Sequence, residues 1–317
     1  MPAFDGAKCL LPGSPTRQVG EIGDTSGMTQ KPRLFSQTMP ALFVILWASG
    51  FIGAKVGLPY APPLAFLSWR FFIVIVLMTL IALAMRAPWP RGMQLVHVAV
   101  AGILLQAGYL GGVFVGIDLG MSAGLSSIIV SLQPILTAFA GPLVGEPVSR
   151  RQWAGLVFGF GGVFMVVFHK INLGMVSGEA LSVTLVALVT ITVGTLYQKR
   201  FCGSQDLRTQ SVVQFIAALA VLLPLSLVYE TRPVVWSGEF IFALGWLVLV
   251  LSLGAISLLL LLIRRGAATT VTSLMYLVPA VTVIMAWLAF GETLTPLAIA
   301  GMVVALAGVA LVVRPVK

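Results

Sequence analysis

The chain has 317 residues, of which 59% are hydrophobic and 9% charged, and its mean hydropathy is +1.04; an average soluble domain carries roughly 25% charged residues, so a water-soluble core is excluded as the sink for this much apolar surface. The net charge of +9 is spread as single residues and pairs between apolar runs, which argues against a nucleic-acid-binding patch. Two cysteines, Cys9 and Cys202, and two histidines, His97 and His169, supply neither a disulfide framework nor a metal cluster, and no cofactor is expected.

Residues 1–38 are rich in Gly, Pro, Ser and Thr and lack the apolar stretch of about 7–15 residues that a cleavable secretory signal needs. Composition predicts a disordered cytoplasmic tail. Met28, shortly before Lys31 and Arg33, offers an alternative start of translation.

A helix rises about 1.5 Å per residue, so ~20 apolar residues cross a hydrocarbon layer of ~30 Å. Apolar runs bounded by charges and turn residues predict an all-α membrane protein with spans near 40–58, 63–85, 94–117, 123–144, 152–168, 181–197, 212–229, 240–263, 267–290 and 297–313.

The first span holds Trp47 and, three residues from its outer end, Lys55, which can reach the interface by snorkelling. Arg70 lies about eight residues inside the second span, where a charge costs roughly 2.5–3.5 kcal/mol on a translocon scale near the centre. Two uses are open to it: paired hydrogen bonds to a substrate carboxylate or phosphate, or a structural one, snorkelling or bonding carbonyls freed by a proline. Through the third span and past it, Gly108, Gly112, Gly116, Gly120 and Gly124 form a bare strip for close helix packing. Gln106 and Tyr109 lie in the same span, where an aromatic face can sandwich an organic substrate or look to lipid. Asp118 sits at its outer end, and no acid lies well inside any span, which makes proton coupling through a buried acid doubtful.

Proline removes a helix donor and clashes with the carbonyl four residues back. Pro134 in the fourth span and Pro279 in the ninth therefore free the carbonyls of Val130 and Met275. Helical spacing puts Ser127 and Ser131 on the Pro134 face, and Thr272 and Tyr276 on the Pro279 face. These stripes either contact substrate at matched helix interruptions or bond their own backbone and neighbouring helices. Trp246 in the eighth span is a further aromatic candidate. Glu146 and Glu292, each just beyond a span, read as structural partners of helix N-termini.

Lys and Arg cluster in alternate connections, at Arg86 and Arg91, Arg150 and Arg151, Lys199 with Arg200 and Arg208, and Arg264 with Arg265. The positive-inside rule then puts both termini in the cytoplasm.

The chain also repeats itself. Gly145-Glu146, Gly155 and Gly162-Val163 recur at an offset of 146 as Gly291-Glu292, Gly301 and Gly308-Val309. Leu132 and Pro134 match Leu277 and Pro279 at 145, and Gly50, Lys55 and Phe71 match Gly194, Lys199 and Phe215 at 144. The tail apart, the division is into 39–170 and 171–317. With five spans each, the second half enters the membrane inverted.

Trp47-Ala-Ser-Gly-Phe51 through Lys55, Pro62-Pro63, Trp69-Arg70-Phe71 and the two Gly-Glu blocks resemble the EamA-type drug/metabolite transporter family over nearly everything after residue 39. The resemblance implies a ten-helix secondary carrier with a central cavity between its halves and spans five and ten peripheral. It also implies a contrast with the small four-helix multidrug carriers of the same superfamily, which depend on an acid in the first span that this chain lacks. The expected activity is transport of a small polar metabolite, an amino acid or other carboxylate with export favoured, by alternating access in the cytoplasmic membrane. The alternatives are broad-specificity drug efflux and, lacking any HExxH, paired-acid or Ser-His pattern, a membrane-embedded enzyme. The expected partners are the small-molecule substrate and the lipid bilayer, with a homodimer left open.

Overall fold

The computed structural model describes residues 33–140, 149–172, 176–203, 205–255, 258, 277–292 and 295–313, and every regular element among them is helical. In chain order these are α1 (Arg33–Gly57), α2 (Pro63–Ala84), α3 (Met93–Asp118), α4 (Ala123–Val130), α5 (Gln133–Phe139), α6 (Arg150–Asn172), α7 (Gly178–Phe201), α8 (Leu207–Tyr229), α9 (Gly238–Gly245), α10 (Val278–Phe290) and α11 (Pro296–Val313). The middle of α3, Ile103–Leu110, widens to a π-helix, and α9 runs on into a second π-helical stretch, Trp246–Ala255. Helix α1 starts at Arg33, so its first turns come from the end of the segment 1–38; residues 1–32 lie outside the described part.

The helix ends follow from local chemistry. Ser122, Ser177 and Ser237 precede α4, α7 and α9, and each hydroxyl accepts from the amide three residues on, at 3.1–3.2 Å. Helix α2 opens on Pro63, which has no N–H to satisfy. The next two amides, Leu64 and Ala65, donate to the carboxylate of Glu230 at 2.7 and 2.8 Å, and the Ser226 hydroxyl steadies that carboxylate at 2.7 Å. The end of α8 thus caps the start of α2. Pro134 sits at the second position of α5, and the chain breaks its helix at Ser131–Leu132, just before it. Helix α10 begins correspondingly with Pro279 in its first turn and ends at Gly291, whose φ of +64° suits glycine.

Glycines set the closest packing. A Cβ on Gly112 would lie 2.8 Å from that of Ala187, and one on Gly116 would lie 2.5 Å from the Thr184 hydroxyl, so the strip along α3 seats α7. Gly124, past the turn at Gly120, faces Val283 of α10 instead. The repeated glycines turn out to face one another. A Cβ on Gly162 would fall 2.4 Å from the Gly301 carbonyl, and one on Gly308 would fall 2.7 Å from that of Gly155, so α6 and α11 pack backbone to backbone.

Gly102 brings α3 onto α8: its Cβ would lie 2.4 Å from the Cα of Gln214. Alanine gains about 1 kcal/mol of helix propensity over glycine, but an overpacking cost of about 1–3 kcal/mol falls at its upper end when the obstacle is backbone. Gly102→Ala is therefore expected to lower the thermal midpoint in detergent, while Gly161→Ala, which meets no atom within 4 Å, leaves it unchanged or raises it. Equal midpoints for the two variants would show that this contact does not hold α3 to α8.

The outer surface is apolar. Leu227 is 77% exposed, Val228 72%, Val157 70% and Leu288 70%, an arrangement water would penalise and lipid does not. Trp69 and Trp236, both exposed, stack edge-on at 5.2 Å near one end of the bundle, and Trp89 lies beyond the other end of α2, as interfacial aromatic belts do. Four described helices, Pro63–Ala84, Met93–Asp118, Gly178–Phe201 and Leu207–Tyr229, are each long and apolar enough to cross a bilayer; shorter apolar lengths include Ala41–Gly57, Ala123–Thr137, Gly238–Gly254 and Val278–Phe290.

Candidate functional site

A cavity of about 470 Å³ lies in the bundle between α1, α2, α3, α5, α7, α8 and the π-helical end of α9, within the ~300–1,000 Å³ of small-molecule sites. Its walls are mainly apolar, from Phe51, Leu105, Leu110, Val113, Phe114, Ile191, Phe215 and Leu251. Its polar groups are few: Arg70, Gln106, Tyr109, Gln133, Thr195 and Ser252.

Among the described residues Arg70 is the one charged group of the lining, and it is 4% exposed. One of its terminal nitrogens donates to the Ser252 hydroxyl at 3.2 Å, and its Nε is buried with no partner. A guanidinium has five N–H donors in a planar fork, so most of this one's capacity is left unspent by the protein. Ser252 can accept because its own proton goes to the Leu247 carbonyl at 3.0 Å, five residues back along the π-helical turn. The π-helix thus aims the hydroxyl at Arg70, and the π-helix of α3 carries Gln106 and Tyr109, which line the same cavity. No protein group among the described residues hydrogen-bonds either of those two side chains. Gln133 donates to Thr195 at 2.9 Å, joining the start of α5 to α7; its carbonyl oxygen keeps its acceptor capacity.

Toward the α1–α2 turn the cavity is bordered by buried aromatic rings. Phe114 forms its end wall and packs edge-on against Phe66 at 5.4 Å, and Phe66 meets Phe240 at 5.0 Å, all three being buried. Farther out on this side the ammonium of Lys55 pairs with the carboxylate of Glu292 and sits 4.6 Å above the Phe290 ring. Lys55 therefore does not snorkel freely to the interface; it ties α1 to the end of α10.

Of the residues singled out in the sequence, Trp47, Arg70, Gln106 and Tyr109 converge on the cavity. Ser127 and Ser131 lie outside its lining, their hydroxyls donating to the Gly124 and Ile128 carbonyls at 2.7 and 2.6 Å. Pro134 and Pro279 are also off the lining, but the break at Pro134 delivers its neighbour Gln133 to the cavity. The Trp246 indole donates to Ser49 at 2.9 Å, bracing α9 against α1. Thr272, Tyr276 and Glu146 lie outside the described residues, as do Arg264 and Arg265. Sequence reasoning missed Gln133, Thr195 and Ser252. The available signal was positional: Gln133 adjoins a helix-breaking proline, and Thr195 follows Gly194, the repeat partner of Gly50.

Residues 37–168 and 179–314 each match the EamA-like transporter family. A protein of Salmonella typhimurium named a probable amino-acid metabolite efflux pump is 27% identical over 84% of this chain and 91% of its own length. An inner membrane transporter of Escherichia coli K12, YedA, of uncharacterized function, is 26% identical over 82% of this chain and 86% of its own. A crystal structure of a protein 16% identical in sequence superposes with a TM-score of 0.60 over 88% of this chain and 97% of that one, a likeness of fold.

Proposed function

Because the chain belongs to the EamA-like transporter family, we propose that it is a secondary carrier exporting a small organic carboxylate, an amino acid or related metabolite, with Arg70 as the carboxylate anchor. The observation that carries this reading is the guanidinium buried in the cavity wall with one protein hydrogen bond and an unpartnered Nε. A carboxylate offers the planar pair of acceptors that such a fork lacks. Gln106, Tyr109, Gln133 and Thr195 supply further hydrogen bonds, and Trp47, Phe51 and Phe215 the apolar surface for the rest of the molecule. The name of the Salmonella relative agrees with such a cargo and with export.

The carrier works by alternating access of two inverted five-helix halves, ten spans in all, with both termini cytoplasmic. Besides the repeated blocks, the π-helices support this duplication: residues 103–110 shifted by the 144 of the upstream block give 247–254, inside the second π-helical stretch, 246–255. Such segments are frequent at functional sites. The side bordered by Phe66, Phe114, Phe240 and Lys55–Glu292 is the extracytoplasmic one and is closed, so substrate enters this state from the cytoplasm. Ion pair and aromatic contacts must open for release.

Proteoliposomes preloaded with a pool of unlabelled carboxylates should show saturable counterflow of a labelled one. Vesicles that exchange no carboxylate above the protein-free background would overturn the assignment.

A further inference from the structure

Resting on that reading of Arg70, we infer that the cavity selects organic monoanions with no free ammonium, such as an arylalkanoate or an N-acylated amino acid, over the corresponding zwitterionic amino acids. Of the chain's ten carboxylate side chains, six lie among the described residues, and none of those six lines the cavity. Asp5, Glu21 and Asp24 belong to the N-terminal segment, and Glu146 stands in the sequence between α5 and α6. Glu179 and Glu239 lie in the first turns of α7 and α9. The other four are engaged at helix ends: Asp118 with Arg232, Asp206 with Arg208, Glu292 with Lys55, and Glu230 with the amides of α2. A substrate carboxylate placed on Arg70 therefore balances the charge of the described lining, and an ammonium arriving with it finds no anion among the described residues to pair with.

That matters because a Coulomb interaction falls only as the inverse of distance. In an amino acid the ammonium sits one carbon beyond the carboxylate, so Arg70 repels it with roughly two-thirds of the strength with which it attracts the acid. Stripping that ammonium of water is costly without an anionic partner. The neutral acceptors of Gln106, Gln133 and Tyr109, and the faces of Trp47 and Phe215, replace some of its hydration but none of the missing charge. Acylating the amine removes this penalty and turns it into an amide N–H that those same acceptors satisfy. The apolar walls favour an aromatic or branched remainder.

The test is calorimetric binding to the purified, detergent-solubilised protein of four probes with one side chain: 3-phenylpropionate, N-acetylphenylalanine, phenylalanine and phenethylamine. The two monoanions are expected to bind at least about tenfold tighter than phenylalanine, with no measurable binding of phenethylamine. Arg70→Met and Arg70→Lys, checked for folding by their melting curves, should weaken both monoanions. Phenylalanine binding as tightly as its acetylated form, with the Arg70 dependence intact, would overturn this selectivity and leave the carboxylate reading standing. Binding of no probe, or of monoanions untouched by both substitutions, would overturn the two together.

Discussion

Arg70→Met is expected to abolish carboxylate counterflow while leaving the protein at least as thermally stable as the parent. Truncating one member of a buried, hydrogen-bonded charge pair costs about 2–5 kcal/mol, which puts the loss of flux on the order of a hundredfold or more. Arg70→Lys keeps the charge but loses the planar fork, so an intermediate loss of about tenfold is expected. Stability should move the other way. The guanidinium is 4% exposed, its Nε has no partner, and its one hydrogen bond is long at 3.2 Å; replacing such a group by an apolar side chain of similar length removes a desolvation cost. A structural arginine would give the opposite pair of results, with a lowered midpoint and transport falling only as far as the amount of folded protein falls. Counterflow and melting curves on the same preparations separate the two, and retained flux in both variants would remove Arg70 from the site.

A second large effect is expected from holding the sealed side shut. Lys55 lies in the first family-matched segment and Glu292 in the second, and their pairing crosses 237 positions of sequence. The pair is partly exposed, with side-chain accessibilities of 30% and 16%, so its own contribution is modest, about 1 kcal/mol or less. Neutralising it by Glu292→Gln is therefore expected to shift the balance of states by only about fivefold. A covalent link is different in kind. With Cys9 and Cys202 replaced, Lys55→Cys combined with Glu292→Cys and joined by a short reducible bifunctional thiol reagent should bring turnover to background, and reduction should restore it. Unimpaired turnover after complete cross-linking would mean that α1 and the end of α10 do not separate during transport.

The parts legible in the sequence are those fixed by solvent and by periodicity. Runs of apolar residues declare helices in lipid because each turn must satisfy its own backbone there, and Arg70 stands out because a charge among them needs a reason. The glycine strip of α3 was readable as a packing face, although only the fold shows that Gly124 leaves α7 for Val283. Orientation about the helix axis was far less legible. Ser127 and Ser131 follow the same helical arithmetic that puts residues on the Pro134 face, yet their hydroxyls are used by carbonyls of their own turn, the nearest acceptors in an apolar helix. Whether a hydroxyl faces a cavity depends on neighbours far away in sequence. The same holds for Lys55, whose partner is 237 positions away, and for Trp246, held by Ser49. The two π-helical stretches, which carry Gln106, Tyr109 and Ser252 to the cavity lining, have no residue signature that distinguishes them from ordinary apolar helix.

Alternating access around the Arg70 cavity is tested most directly at Thr195, a small side chain of the lining. With Cys9 and Cys202 replaced, Thr195→Cys should react with a membrane-impermeant sulfonated thiol reagent when it is added to either side of oriented vesicles. A transported carboxylate should slow both reactions, and linking positions 55 and 292 should abolish only the one from outside. Labelling confined to one side under every condition would contradict the account.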